Sequence, residues 1–425
     1  MLASIVPFLA LLLATQAWAE PSVASPAPIP PLWRVLFLRV DFPDAAAKRP
    51  ATDFRNPARS GYVDRLVSYY DEVSRRRFQI QPIVSDRVYR LPRRKRFYVQ
   101  KPGKLLADAI ALAEAPEPKG EKSLLEQAKP DVVVVFFAGP GAESDMKREK
   151  PGQLPWSNAL SGGSFGTVGG KPVERGMVVA EDPFPPLSPF GVMAHEFGHV
   201  LGLPELYAPN QVHEGIGVWG LMGQGTWTGL GDVPPHLSAW CKYTLGWVDA
   251  MIVDESQRVT LPSVQKSGQV VKIWAKGPEH PHEYFLIENR TRDGADRRIP
   301  GEGLLVWHVD ESLTSFRRSQ DDAQHKRLDL LTADSWPSHL DLGHTRGGNR
   351  GDAGDPWSDR AKGPGPDTHP STAAYDGTPG RFSIENISPA GEVMTFDVVF
   401  AGDRRASPDR PERREPNTPD ERGKP

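Results

Sequence analysis

Apolar residues in the first third of the chain occur in two patterns, continuous runs and helical spacing, which alternate along the sequence. Runs of apolar residues predict strands, and apolar positions three and four apart predict helices. The strands are expected at residues 35–40, 78–84 and 131–137, and the helices at residues 62–74 and 104–114. The last strand is a nearly continuous Val and Phe run, which is typical of a strand buried on both faces. The alternation of strands and helices predicts an α/β layer with a largely parallel sheet.

The pattern changes twice further along the chain. Helical spacing predicts helices at residues 191–201 and 235–246, on either side of an irregular Gly-rich segment. After about residue 250, short strands separated by turn residues predict a mostly antiparallel β domain, a sandwich or a barrel. These strands are expected at residues 259–261, 270–274, 284–288, 304–309, 382–387 and 394–400.

The two ends of the chain differ from its middle. An apolar run before Ala17-Trp18-Ala19 predicts a signal peptide over residues 1–19. A linker rich in Pro, Ala and Ser follows at 20–31. We therefore predict an α/β domain at 32–250 and a β-rich domain at 251–400. The charged, Pro-rich residues 401–425 are predicted to be a disordered tail.

Composition excludes several classes of protein. The 425 residues contain 51 Lys and Arg and 54 Asp and Glu, for a formal net charge of −3. No concentrated basic surface is indicated, which argues against a nucleic-acid partner. Cys241 is the single cysteine, so no intrachain disulfide can form. We expect a monomer that is secreted, extracellular or periplasmic, and free of the membrane once the signal peptide is cleaved.

The predicted helix at 191–201 contains His195-Glu196-Phe197-Gly198-His199. Residues four apart lie on one face of a helix, so the two imidazoles can point at one ion. Zinc suits such ligands, and Glu196 can reach a water molecule in an open coordination position and act as its general base. The alternative is a helix that simply carries two surface histidines.

A third ligand is expected shortly after the second histidine. Gly202 should end the helix, since glycine accepts the left-handed conformation. The chain can then turn back, and Glu205 is the first metal-competent side chain after the turn. The pattern H-E-x-x-H-x-x-G-x-x-E is an extended metzincin-type motif with an acid in the third position. Three later residues are competing candidates for this ligand: His213, Glu214 and Asp232.

A methionine follows in a Gly-rich setting. Met222 lies in the segment Gly217-Val218-Trp219-Gly220-Leu221-Met222-Gly223. Metzincins place a methionine in a tight turn beneath the zinc site, and Met222 is the candidate for this Met-turn. A core methionine is the plainer interpretation. A zincin that takes its third ligand from a second long helix is disfavoured by the glycines.

Three segments together resemble one family. HEFGHVLGLPELY, GIGVWGLMGQGTW and PPHLSAWCKYTLGWV are similar to the immune inhibitor A family of secreted bacterial metalloproteases, and the resemblance extends over about residues 32–400. It implies a metzincin-type zincin catalytic domain followed by the β domain. It also implies zinc ligands at His195, His199 and Glu205, a base at Glu196 and a Met-turn at Met222. Family members typically have Asp in place of Glu205.

The expected function is that of a secreted zinc metalloendopeptidase acting on proteins or peptides. The alternatives are a non-catalytic surface-binding protein on a zincin scaffold and a metal-dependent hydrolase of cell-wall peptide. Calcium is a further candidate cofactor, because relatives bind it and carboxylates cluster in one Gly-rich region. Its candidate ligands are Asp352, Asp355, Asp359 and Asp376, for which a solvated acidic loop is the plainer interpretation. Three tryptophans are candidates for the lining of the substrate cleft, although core packing is the plainer interpretation: Trp156, Trp219 and Trp227.

Overall fold

A computed structural model describes most of the chain. The described residues are 29–56, 58, 60–115, 122–145, 152–168, 171–210, 212–315, 318–335, 337–343 and 347–403. The predicted signal peptide, most of the predicted linker and residues 404–425 of the predicted tail lie outside them. Among the described residues, no helix combines the length and the apolar character needed to cross a bilayer.

The first half is built around a five-stranded sheet. Its strands are β1 (Leu32–Asp41), β2 (Gln79–Arg90), β3 (Val132–Phe137), β4 (Asn158–Ser161) and β7 (Arg175–Ala180), beside the small hairpin β5 (Thr167–Val168) and β6 (Lys171–Pro172). Its helices are α1 (Tyr62–Val73), α2 (Pro102–Glu114), α3 (Leu124–Ala128), α4 (Phe190–Val200) and α5 (Ala239–Thr244). The strand order is β2-β1-β3-β7-β4, and every pair is parallel except β4 with β7. The predicted parallel α/β layer is therefore confirmed, with one antiparallel strand at the edge.

The two faces of this sheet bury different sets of side chains. All six residues of β3 are buried, as its Val and Phe run predicts. Val35 and Phe37 point into the core that contains α1 and α4, whereas Leu36 and Leu38 point into the core that contains α2 and α3. This alternation follows from the two-residue period of a strand. It places α4 against one face of the sheet, beside the edge strand β4.

The second half contains two further sheets. Its elements are β8 (Asp249–Ile252), β9 (Gln257–Pro262), α6 (Val264–Ser267), β10 (Gln269–Trp274), β11 (Glu283–Arg290), β12 (Gly303–Asp310), β13 (Leu328–Leu331), β14 (Arg360–Lys362), β15 (Phe382–Ile387) and β16 (Val393–Phe400). The sheet orders are β13-β12-β11-β10-β8 and β14-β15-β16-β9. All pairs are antiparallel except β8 with β10. Side chains from both sheets form one apolar cluster between them.

The hydrophobic core continues across residue 250. The cluster around α1 and α4 also contains Tyr284 and Leu286 from β11 and Trp307 from β12. The second half therefore packs directly on the part of the chain that contains the predicted metal ligands.

Some local predictions were wrong. The strand β7 was not predicted, and the helix expected at 235–246 extends only over Ala239–Thr244. That helix starts where the Ser238 side chain accepts a hydrogen bond from the Cys241 backbone N–H, a standard N-cap. Within the basic run at 93–96, which sequence alone would place on the surface, Lys95 is buried, and its ammonium donates to the carbonyl oxygens of Ala138 and Pro140.

Candidate metal centre

The helix α4 presents both predicted histidines, and the chain reverses just after it. Its last turn is followed by Gly202 at φ +97°, a conformation that favours glycine. Backbone N–H groups of Gly202 and Leu203 donate to the carbonyls of His199 and Gly198, which closes the end of the helix. The reversal returns Glu205 to the face of α4 that bears the histidines.

Three side chains meet at this point. Glu205 Oε2 lies 3.2 Å from His195 Nε2, and Glu205 Oε1 lies 3.2 Å from His199 Nε2. The two Nε2 atoms are 3.1 Å apart. His195 and Glu205 are buried, at 6% and 9% exposure. All three form a group of metal-competent atoms within 4.8 Å of one another.

The other ring nitrogens identify which tautomer each histidine adopts. His195 Nδ1 lies 3.0 Å from Leu221 O, and His199 Nδ1 lies 2.7 Å from Leu203 O. A carbonyl oxygen only accepts, so each of these contacts favours the tautomer with the hydrogen on Nδ1. In the neutral rings, each Nε2 atom then presents a lone pair to the other Nε2 atom and to the Glu205 carboxylate.

The residues fit a divalent cation in both chemistry and spacing. A tetrahedral zinc ion with bonds of ~2.0–2.1 Å holds its ligand atoms about 3.3–3.4 Å apart. The observed separations of 3.1–3.2 Å need to widen only slightly. Two facing lone pairs and a buried carboxylate repel one another unless positive charge lies between them. One proton relieves only part of this repulsion, because a single hydrogen cannot bond all three atoms.

The electrostatics agree with a cation-binding pocket. Burial opposes charge on these groups, yet Glu205 and then Glu196 raise the pKa of His199 to about 9. Burial likewise opposes ionisation of Glu205, but the two imidazoles lower its pKa well below its ordinary value. Without a metal, therefore, a proton on His199 provides the positive charge that the carboxylates favour.

Glu196 lies beside the three converging side chains and touches the sheet edge. Its Oε2 accepts a hydrogen bond of 2.7 Å from the backbone N–H of Ala159, in the edge strand β4. Burial raises the pKa of Glu196, and the nearby histidines oppose that rise. A carboxylate with a raised pKa, held by one oxygen, is suited to accept a proton through the other.

Met222 packs under α4. A Cβ added to Gly198 would lie 2.4 Å from Met222 Sδ, so only a glycine permits this approach. Met222 O accepts a hydrogen bond from Leu206 N, one residue after Glu205. The methionine segment thus contacts both the helix and the turn that carries Glu205.

The competing candidates for the third ligand have other partners. Asp232 pairs with Arg65, and Glu214 pairs with Arg350. Burial lowers the pKa of His213 to about 4. In the described part of the chain, none of these three belongs to a group that could hold a metal.

The predicted calcium ligands do not converge as a set. Asp376 pairs with Lys276, and Asp359 is exposed. Among the described residues, Asp352 is the single member of that set in a metal-competent group, with Asp334 and His339. Of the three candidate tryptophans, Trp219 is fully buried and donates through Nε1 to Asp355, so it packs in the core and does not line a cleft.

Two contacts at the site were not foreseen from the sequence. The backbone N–H of Ala159 donates to Glu196, and the hydroxyl oxygen of Thr226 lies 2.9 Å from His195 Nδ1. Ala159 acts through its backbone, so its side chain gives no signal. Thr226 stands next to the Gly-rich methionine segment, and proximity to that segment was the only cue available.

The arrangement of these side chains indicates a class of protein. Two histidines one helical turn apart, an acid between them and a third candidate ligand after a glycine are typical of metal-dependent peptidases. More specifically, residues 173–248 match the family described as "Immune inhibitor A peptidase M6, catalytic domain". Over this segment, the predicted resemblance to that family of metallopeptidases is confirmed. The segment includes every residue of the candidate centre except Ala159.

Similar proteins cover only part of the chain. Over 59 residues it is 41% identical to the "Pre-pro-metalloprotease PrtV" of two strains of Vibrio cholerae serotype O1. That alignment spans 13% of this chain and 6% of those relatives. Among solved structures, wild-type OgpA from Akkermansia muciniphila is similar over 67% of this chain and 76% of its own, with 15% identity and a TM-score of 0.28. A likeness at that score supports no conclusion about this chain.

Proposed function

We propose that this chain is a secreted zinc-dependent metalloendopeptidase of metzincin type, which hydrolyses internal peptide bonds of proteins. One observation carries the proposal: two Nε2 lone pairs and a buried carboxylate converge with separations of 3.1–3.2 Å. The match of residues 173–248 to a peptidase family supports the choice of peptide bonds as substrate. Secretion is supported by the apolar run and cleavage pattern of residues 1–19.

His195, His199 and Glu205 would hold the ion through two imidazole nitrogens and one carboxylate. When bound, zinc supplies a Lewis acid that polarises a carbonyl and makes a water molecule more acidic. Glu196 accepts a proton from this water as the oxygen attacks the carbonyl carbon. It then delivers that proton to the nitrogen of the departing amine as the C–N bond breaks.

The chain's own groups prepare Glu196 and the substrate for this step. The Ala159 N–H fixes one carboxylate oxygen, so the other is free to face the water. The strand β4 lies at the edge of its sheet, and an extended substrate segment can pair with such an edge. An internal stretch of a protein fits an open strand edge, which favours an endopeptidase.

The proposal predicts how Glu196→Gln should behave. The amide oxygen can still accept from Ala159, so folding and zinc content should stay near wild type. The amide of Gln cannot act as a base, so casein hydrolysis should fall by about 10²–10⁴-fold. Zinc is measured by elemental analysis, and hydrolysis is measured with and without a chelator.

Three results would contradict the proposal: zinc-free wild type after zinc loading, chelator-resistant hydrolysis, or full activity of Glu196→Gln. Parallel assays on peptidoglycan separate a cell-wall hydrolase from a protease. A protein that binds zinc but cleaves neither substrate would indicate a non-catalytic scaffold.

A further inference from the structure

The ring of His195 is held from behind by a closed set of polar contacts. His195 Nδ1 lies 2.9 Å from Thr226 Oγ1 and 3.0 Å from Leu221 O. Thr226 Oγ1 in turn lies 3.0 Å from Leu221 O. His195 and Thr226 are both 6% exposed, so water does not compete freely for these atoms. We propose that Thr226 is a positioning residue that fixes the tautomer and ring orientation of His195 for metal binding. This inference rests on the proposed zinc site.

One distribution of hydrogens satisfies all three atoms. Leu221 O can only accept, and the Thr226 hydroxyl has a single hydrogen to donate. If Thr226 donates to Leu221 O, His195 Nδ1–H can be shared between the hydroxyl and the carbonyl. If Thr226 instead donated to an unprotonated Nδ1, a ring lone pair would face Leu221 O at 3.0 Å. The first arrangement is favoured, and it leaves the lone pair on Nε2, where the ion would bind.

Thr226 is itself held firmly. It lies in a 3-10 turn, Gln224–Trp227, that packs against α4. A Cβ added to Gly191 in α4 would lie only 2.0 Å from Thr226 O, so the two backbones are in close contact. A hydroxyl on such a rigid support can restrict the imidazole more than a mobile side chain could. Outer partners of metal-binding histidines commonly act in this way.

The two histidines differ in how they are supported. His199 Nδ1 contacts the backbone oxygen of Leu203, which no substitution can remove. His195 has the same kind of backbone contact and, in addition, the Thr226 side chain. The contribution of the hydroxyl can therefore be tested by substitution without touching a ligand.

Thr226→Val replaces the hydroxyl with a methyl group of similar size. Outer-partner substitutions typically weaken metal affinity by about 10–100-fold, and we expect a loss in that range. Thr226→Ser keeps the hydroxyl and should restore affinity to within a few-fold of wild type. Thr228→Val is the matched control, because Thr228 lies two residues along the same loop. Its Oγ1 has no hydrogen-bond partner in the described part of the chain.

The experiment measures zinc affinity of the four full-length proteins by competition with a chromogenic chelator at fixed pH. Nitrogen chemical shifts of the imidazoles in the metal-free proteins report the tautomer of His195. We expect the Nδ1–H form in wild type, Thr226→Ser and Thr228→Val, and a rise of the Nε2–H form in Thr226→Val. Thermal unfolding of the metal-free proteins checks that each is folded.

The outcomes separate this inference from the proposed function. If wild type does not bind zinc, the proposed function fails and the inference with it. If wild type binds zinc and Thr226→Val binds equally well with an unchanged tautomer, only the inference is overturned. Failure of Thr226→Ser to recover affinity, or an equal loss in Thr228→Val, would also overturn it, since a general packing effect would then explain the data.

Discussion

The contact between Met222 and α4 gives a sign-reversing prediction for Gly198→Ala. The new methyl carbon would lie 2.4 Å from Met222 Sδ, whereas non-bonded heavy atoms normally lie about 3.5–4.0 Å apart. Met222 is fully buried and cannot retreat into solvent. Overpacking of this kind costs about 1–3 kcal/mol. The opposing gain from Ala over Gly within a helix is about 0.5–1 kcal/mol, so we expect net destabilisation of up to about 2.5 kcal/mol.

The same substitution should become stabilising when the sulfur is absent. Met222→Ala alone leaves a cavity and should cost about 2–5 kcal/mol. In that background, Gly198→Ala meets no sulfur and retains its helix preference of about 0.5–1 kcal/mol. The difference between the two backgrounds is a coupling free energy of about 1–3 kcal/mol.

Urea unfolding of the four metal-free proteins, with a chelator present, measures this coupling. The chelator is needed because bound zinc would add its own stabilisation to the folded state. Equal effects of Gly198→Ala in both backgrounds, within about 0.5 kcal/mol, would refute the proposed contact between the methionine and the helix.

Two further predictions concern buried ionisable side chains. Burial raises the pKa of Asp355 to about 6 from 3.8. Between these pH values the native state therefore holds a proton that the unfolded state releases. The free energy of unfolding should thus fall as pH rises from about 4 to about 6. Asp355→Asn has no such ionisation. Its unfolding free energy minus that of wild type, measured by urea titrations, should therefore rise by up to about 3 kcal/mol between pH 4 and 7.5. A difference that does not change with pH would contradict this prediction. Arg290 is fully buried between Glu288 and Asp296 and also donates to Trp219 O, so Arg290→Met should cost about 3–5 kcal/mol. The exposed pair of Arg258 with Asp397 is the control: Arg258→Met should cost at most about 1 kcal/mol, and equal losses would contradict this assignment.

Strong periodicity made much of the first sheet predictable from sequence. The Val and Phe run of β3 and the apolar face of α1 are long enough to identify their elements. The strand β7 has only a short apolar run after a charged segment, which gives no clear period. Its place in the sheet depends on pairing with β3, far away in sequence, and that pairing cannot be read from local pattern.

The candidate site likewise has some features that the sequence predicts and others that it does not. The helix period aligns His195 with His199, and the glycine at the helix end accounts for the return of Glu205. By contrast, the contacts of Ala159 and Thr226 depend on how β4 and a 3-10 turn pack against α4. Burial of Trp219 was also hidden, because its partner Asp355 is 136 residues away.

X-ray absorption at the zinc edge tests the central claim most directly. The zinc-loaded wild-type protein should contain one ion, bound by two imidazole nitrogens at ~2.0–2.1 Å and by oxygen ligands at ~2.0–2.2 Å. Glu205→Ala should lower the zinc affinity and remove one protein oxygen from the coordination shell. A spectrum that contains no imidazole scattering, or a zinc affinity that is unchanged by Glu205→Ala, would contradict a site formed by His195, His199 and Glu205.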